Sequence, residues 1–147
     1  MAKFSYRMQS ILNLKVKLED QERTAYGLAA MRLREEEEKL QQLAIRRAGY
    51  EKIGREMRAG GTIDVKELET NRKAIEAMKV LIRAQMLEVR RAEKDVEAAR
   101  RRLQEAMQER KIHEKLREHA FEEFKQELEY EENKAIDELV SYSYSTK

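Results

Sequence analysis

The chain contains no cysteine and no proline, and it has only five glycines and 6% aromatic residues in 147 positions. Without cysteine it can form neither disulfide bonds nor thiolate metal sites, which suits a reducing compartment. Without proline, no residue lacks the backbone donor that a long helix requires. Charged residues make up 41% of the chain with the two signs nearly balanced, which is typical of long, surface-rich helices. These features predict one elongated domain over residues 1–147 in place of a compact globular one.

Long apolar runs are also missing. Gln9, Ser10 and Asn13 break the first apolar stretch, so no continuous signal-peptide core is present. Nowhere does the chain approach the roughly 18 consecutive apolar residues of a membrane-spanning helix. The formal net charge of +2 gives no field strong enough to select nucleic acid or an anionic membrane. We therefore expect a cytoplasmic protein with no nucleic-acid partner and no direct membrane insertion.

A seven-residue period dominates the second half of the chain. One row is apolar throughout and consists of Leu68, Ile75, Ile82, Val89, Val96 and Leu103. A second, more mixed row lies three residues further on and consists of Asn71, Met78, Gln85, Ala92, Ala99 and Ala106. Two such rows are the signature of a helix that supercoils around a partner helix.

One strong break interrupts the helical pattern, at about residues 59–63, where Gly60 and Gly61 are adjacent. A glycine there is expected to take the left-handed conformation that closes a helix. Asp64 then caps the next helix with Glu67 three residues later, and Ile63 and Leu68 have the spacing of a hydrophobic staple. The sequence thus predicts helices at about 4–58 and 64–139, followed by a frayed tail at 140–147.

The first helix has its own apolar rows. Leu33, Leu40, Leu43, Tyr50 and Met57 fit alternating steps of three and four residues, and an earlier stretch passes through Met8, Ile11, Leu18 and Ala25 with a change of phase near Gly27. Two amphipathic helices joined by a short break usually pack side by side in opposite directions. We therefore predict an all-α fold, a long antiparallel two-helix coiled-coil hairpin. A parallel dimer of straight rods is the competing arrangement.

A hairpin closed at Gly60 and Gly61 would place Phe4 opposite Glu118 and leave the end of the second helix without a partner. We expect roughly 20 residues, or ~30 Å, to protrude. This protruding segment is acidic, but Phe121, Phe124, Leu128, Ala135 and Leu139 follow helical spacing on one side. An unpaired apolar stripe predicts a partner. The alternative is that the N-terminus of the first helix, or a second copy of the chain, covers this stripe.

Three segments together resemble one family. The start at residues 4–12 (FSYRMQSIL), the later stretch at 109–118 (ERKIHEKLRE) and an aromatic, glutamate-rich stretch at 121–134 that leads to IDE at 136–138 resemble the bacterial flagellar export protein FliJ. The resemblance spans the whole chain, including the break at its middle.

The resemblance implies a soluble, non-enzymatic component of the flagellar type III export apparatus, similar to the central stalk of rotary ATPases. Family members insert the end that carries both termini into the hexameric ring of the export ATPase and promote its assembly and activity. They also engage the cytoplasmic part of the export gate protein, and some bind export chaperones. The expected location is cytoplasmic, peripheral to the inner face of the cell membrane at the flagellar base.

The resemblance also assigns candidate contact residues by position. Those expected to face the ATPase ring are Phe4, Met8, Ile11, Leu12, Phe121, Phe124, Leu128, Ile136 and Leu139. Those expected to contact the export gate lie further along the hairpin and are Leu43, Tyr50, Ile75 and Met78. Ile75 and Met78 also belong to the heptad rows, and this midsection lacks the aromatic residues that some relatives carry there.

Residues with catalytic or ligand-binding chemistry give no coherent site. His113 and His119 are six residues apart and cannot face one metal ion from a single helix. The acidic run Glu35 to Glu38 lies on a solvated helix without the apolar pocket that catalysis by a carboxylic acid needs. Gly60 and Gly61 are not followed by the Gly-Lys-Ser/Thr of a phosphate loop. We therefore expect no enzymatic activity, no metal and no cofactor.

Two other functional classes fit the same pattern. One is a structural homodimeric coiled coil without a ring partner. The other is the equivalent stalk of a virulence secretion system or of a true rotary ATPase, which differs in its partner and not in its physical principles.

Overall fold

The computed structural model describes residues 2–146 and, within that range, contains two long helices and no strand. Helix α1 is Gln9–Ala59 and helix α2 is Val65–Ser145. The helices pack against each other as an all-α hairpin, which confirms the predicted fold class and not the competing pair of straight rods. The contacts fall into two compact units: unit 1 contains the residues up to Gln21 and from Leu103 on, and unit 2 is Glu22–Arg102.

The seam of α2, meaning the residues that face α1, follows the predicted heptad rows. Its five buried residues all belong to those rows and are Asn71, Met78, Val89, Ala92 and Ala99. The remaining members of the two rows are half-buried. Ala92 and Ala99 are each 1% exposed, because small side chains let neighbouring backbones approach closely. The seven-residue period was therefore a sufficient guide to the packed face of α2.

The seam of α1 keeps one heptad phase throughout, so the predicted change of phase near Gly27 is wrong. Its residues in the first half of the helix are Leu12, Lys15, Glu19, Glu22, Tyr26 and Ala29, all buried or half-buried, and the predicted row from Leu33 to Met57 continues the same steps. Met8, Ile11 and Leu18 are instead exposed. The reason is that charged side chains occupy this part of the seam, so the apolar residues there mark a different face of the helix.

Cross-helix contacts within each unit show that the helices are antiparallel. In unit 2 the pairs are Glu22 with Arg102, Arg32 with Asp95, and Glu36 with Gln85. In unit 1 the pairs are Gln9 with Arg117 and Lys15 with Glu109. In both units the α2 residue number falls as the α1 residue number rises.

In the turn between the helices, Asp64 caps α2 as predicted, but the predicted left-handed glycine is not observed. The Lys66 backbone N–H donates to Oδ1 of Asp64 at 2.9 Å, which makes Asp64 the N-cap of α2. Gly60 donates its N–H to the Glu56 carbonyl at 3.1 Å, and no glycine of the described residues has a positive φ. Residues 60–64 are long enough to reverse the chain without a left-handed residue.

The outer helix ends also differ from the predicted bounds. Helix α1 begins at Gln9 and not near residue 4, because the Gln9 N–H bonds to the Tyr6 carbonyl in a turn and residues 2–6 have no helical structure. Helix α2 continues to Ser145, six residues past the predicted end at Leu139. The alternating tyrosines and serines of residues 141–145 are compatible with a helix because none is glycine or proline.

Candidate partner-binding surface

The N-terminal segment, residues 2–8, lies against α2 through an aromatic cluster. The Phe4 ring meets the Phe121 ring edge to face, with centroids 5.0 Å apart and planes at 70°, and the Phe124 ring at 5.6 Å. The Arg117 guanidinium lies 5.4 Å from the Phe4 centroid, and the Lys125 amine lies 4.8 Å from that of Phe121. Each such aromatic pair is worth about 0.5–1.5 kcal/mol beyond its buried area, so Phe4 anchors this segment.

Phe4 therefore lies further along α2 than the predicted position opposite Glu118. An extended chain advances roughly 3.3 Å per residue, whereas a helix advances 1.5 Å. Because residues 2–6 are not helical, the segment reaches past Glu118 to Phe124. It covers the first part of the apolar stripe, as one of the alternatives from the sequence proposed.

Beyond this contact, no other part of residues 2–146 covers α2. Every residue from 129 to 146 is exposed, and we call residues 129–145, the helical part, the overhang; it is ~25 Å long. Its exposed large apolar side chains are Tyr130, Ile136, Leu139, Val140, Tyr142 and Tyr144. The acidic side chains of the same segment are Glu129, Glu131, Glu132, Asp137 and Glu138, against a single Lys134. An exposed helix with apolar and acidic character suits a protein interface.

Charged side chains occupy part of the seam of unit 1 and form ion pairs there. Arg110 bonds to the buried Glu19 and to Glu114 on its own helix. Lys15 donates to Glu109 at 2.5 Å, and this hydrogen bond holds the pKa of the Glu109 carboxyl below its ordinary value. The Tyr6 hydroxyl and the Nδ1 of His113 are buried without a hydrogen-bond partner. Such charged layers set register at some cost in stability.

Unit 2 carries two shallow grooves that include candidate gate residues. Leu43 lines a groove of about 550 Å³ with Glu35, Gln42 and Gln85 among its neighbours. In that groove Gln85 donates to the Glu36 carboxylate at 2.5 Å, and this bond lowers the pKa of Glu36.

Tyr50 lines a second groove of about 320 Å³ near the turn, together with Ile53 and Met57. All four candidates for gate contact belong to the seam: Leu43, Tyr50 and Ile75 are half-buried, and Met78 is buried. Of the four, Leu43 and Tyr50 line the two grooves.

The residues predicted to face an ATPase ring all lie in unit 1, but at different depths. Leu12 is 6% exposed in the seam, where α2 covers it. Phe4, Phe124 and Leu128 are half-buried, and Phe121 is only just exposed. Met8 and Ile11 are likewise only just exposed, and the most accessible members are Ile136 at 56% and Leu139 at 68%.

The sequence analysis missed a second apolar row in unit 1. Leu14 on α1 and Ile112 and Leu116 on α2 are exposed, and they were not singled out. Together with Ile11 and Leu18 they follow helical steps of three and four residues on each helix, one or two positions away from the seam. This row was visible in the sequence. Because the actual seam is polar there, Ile11 and Leu18 of the row were assigned to the seam instead of to a separate face.

Two further properties of residues 2–146 concern other classes of function, namely membrane insertion and metal binding. Neither helix is long and apolar enough to cross a membrane. No group of three or more His, Cys, Asp or Glu side chains is placed to hold a metal ion.

The fold defines a class: an all-α protein built as a two-helix, coiled-coil-like hairpin. The family model described as flagellar FliJ protein matches residues 4–147. The chain therefore belongs to the FliJ family and is a flagellar protein export component. Comparisons with curated proteins and with solved structures gave no match.

Proposed function

We propose that this chain is the stalk of the flagellar export apparatus, which inserts the part of unit 1 that carries both termini into the hexameric ring of the export ATPase. In this role it promotes assembly and activity of the ring and performs no catalysis itself. The observation that carries the proposal is the overhang, a helix of ~25 Å with no covering partner and exposed apolar residues. A helix of this kind has the dimensions and surface to enter the pore of a ring.

The accessible residues refine which side chains make the contact. Ile136 and Leu139 are exposed and touch no other helix, so they are assigned to the ring. Phe121 and Phe124 already pack against Phe4. The aromatic cluster therefore forms the base from which the overhang projects.

We assign contact with the cytoplasmic part of the export gate protein to Leu43 and Tyr50 in unit 2. All four candidates are seam residues, but Leu43 and Tyr50 also line open grooves. In this scheme the chain links the ring to the gate, peripheral to the inner face of the cell membrane, and export chaperones are further partners. A Leu43→Ser variant should bind the gate fragment less tightly, by about tenfold, in a calorimetric titration. Equal affinity of the two proteins would contradict the assignment.

The ring assignment is tested with ATP hydrolysis and ring assembly by the export ATPase of the same organism. The full chain is compared with an Ile136→Ser, Leu139→Ser variant. The matched control carries serine at Val80 and Leu81, which are exposed on α2 in unit 2.

The parent and the control should stimulate hydrolysis equally, and the overhang variant should stimulate much less while keeping its helical circular dichroism. Stimulation that is unchanged in the overhang variant, or lost in the control, would contradict the proposal.

A further inference from the structure

Unit 1 presents an exposed apolar patch that neither the hairpin nor the overhang uses. We call it the lateral patch, and it consists of Ile11, Leu14 and Leu18 on α1 with Ile112 and Leu116 on α2. Each of these side chains is between 37% and 57% exposed. A helix with one apolar row for its first partner and a second row beside it is typical of bundles with more than two helices.

The two helices present these residues on the same side of the pair. Ile11 and Leu18 each come one position before a seam residue of α1, and Leu116 comes one position before the corresponding seam position of α2. In an antiparallel coiled coil such flanking positions face each other across one side. The ion pair between Lys15 and Glu109 marks that side, because Glu109 is seven residues before Leu116.

We propose that the lateral patch is the interface for a second copy of this chain, related by a two-fold axis parallel to the helices. In this arrangement α1 of each copy lies against α2 of the other. Leu14 of one copy then meets Ile112 of the second, and Ile11 meets Leu116. Unit 1 of the two copies forms a four-helix bundle in which every neighbouring pair of helices is antiparallel.

The charges around the patch favour this occupant. On α1 the charged residue beside the patch is Lys17, three positions after Leu14, whereas Lys15 is a seam residue whose charge already pairs with Glu109 in the same chain. On α2 Glu105 lies seven positions before Ile112, with Lys111 and Lys115 as basic exceptions. The two-fold arrangement brings Lys17 of each copy toward Glu105 of the other, which gives one attractive charge pair at both contacts.

The area of the patch limits the strength of the dimer. The five side chains expose on the order of 400 Å² of apolar surface per copy, comparable to the largest patch on a typical monomer. With their polar neighbours, two copies would bury on the order of 1,000 Å², the lower bound for a specific interface. The association is therefore weak and concentration-dependent, and it does not require the ATPase.

Sedimentation equilibrium of the full chain between about 5 and 500 µM tests the interface. The mass should rise with concentration from the 17.5 kDa of the monomer toward twice that value. Leu14→Asp should stay monomeric throughout. The control is Leu87→Asp, because Leu87 is 54% exposed in unit 2 and Leu14 is 53% exposed, and it should dimerise like the parent. A parent that stays monomeric, or a Leu14→Asp protein that dimerises equally, would overturn the proposal.

The orientation of the two copies is tested by disulfide formation, because the natural chain has no cysteine. Mixed copies of Leu14→Cys and Ile112→Cys should cross-link at least tenfold faster than either variant alone. Faster self-linking of Leu14→Cys would place α1 against α1 and refute the two-fold axis proposed. Neither measurement involves the ring, so failure here leaves the stalk proposal to its own test.

Discussion

Two glycines of α1 in unit 2 should respond oppositely to the same substitution. Replacing a glycine inside a helix with alanine normally stabilises it by about 0.5–1 kcal/mol, because the unfolded chain loses freedom. At Gly49 an added Cβ would meet nothing within 4 Å, so Gly49→Ala should gain that amount. At Gly54 the added Cβ would lie 2.5 Å from Nδ2 of Asn71, which is closer than any real contact.

The penalty at Gly54 follows from the burial of Asn71, which is 8% exposed in the seam. Its amide must move to admit the methyl group, and displacing a buried polar group costs about 1–3 kcal/mol. After subtracting the gain in helix propensity, Gly54→Ala should destabilise the protein by about 1 kcal/mol. The two alanine variants should therefore differ by about 2 kcal/mol, or roughly 4–8 °C in Tm for a chain of this size.

Thermal and urea unfolding followed by circular dichroism at 222 nm would measure both changes. The pair Gly54→Ala, Asn71→Ala completes a double-mutant cycle. With Asn71 shortened, the alanine at position 54 should become stabilising. If Gly54→Ala stabilises the natural chain as much as Gly49→Ala does, α1 and α2 are not packed at this site as described.

Three further predictions concern the seam and the termini. Ile82→Asp should lower the free energy of unfolding by several kcal/mol, because it buries an unpaired charge. Leu81 is exposed on the same helix, so Leu81→Asp should change the urea midpoint little. Equal losses of stability in the two variants would refute the assigned seam. Phe4→Ala should speed amide hydrogen exchange at residues 117–128 by roughly 5- to 160-fold, because it removes two aromatic contacts that are each worth about 0.5–1.5 kcal/mol. Unchanged exchange would show that Phe4 does not hold the N-terminal segment. The Lys15 contact lowers the pKa of Glu109, so it adds stability above the ordinary carboxyl pKa of 4.5 and loses it as the pH falls through the lowered value. The stability difference between the natural chain and Glu109→Gln should therefore shrink as the pH falls through the lowered pKa of Glu109, and a difference that is independent of pH in the acid range would contradict this cause.

The packing of α2 was readable from the sequence because its seam is mostly apolar and strictly periodic. Val89, Ala92 and Ala99 were assigned by spacing alone and are buried. Asp64 was likewise identified as a cap from residue type and position. These features depend on local patterns that no distant contact overrides.

The seam in the first half of α1 was predicted wrongly because some charged residues are buried there and some apolar residues are exposed. Glu19 is buried at 5% exposure because Arg110 of the other helix pairs with it, and that partner lies 91 positions away in the chain. A periodicity analysis assigns glutamate to solvent and so selects Ile11 and Leu18 instead. Only the pairing of the two helices shows that these apolar residues form a separate, exposed row.

The N-terminal segment could not be predicted for a similar reason. Its extended conformation depends on the contact of Phe4 with Phe121 and Phe124, which brings together distant parts of the chain. The candidate ring contacts all lie in unit 1, but their relative accessibility was not evident from the sequence. Leu12 and Leu139 were both predicted to contact the ring, although Leu12 is buried in the seam and Leu139 is exposed.

Site-specific cross-linking tests the central claim, that the overhang is the part of the chain that enters the ATPase ring. Because the chain has no cysteine, a Leu139→Cys variant carries a single site for a short thiol-reactive photo-cross-linker. Ile45→Cys, exposed on α1 in unit 2, is the control. Assembled rings should cross-link to position 139 and not to position 45. Cross-linking at position 45 with none at position 139 would contradict the account.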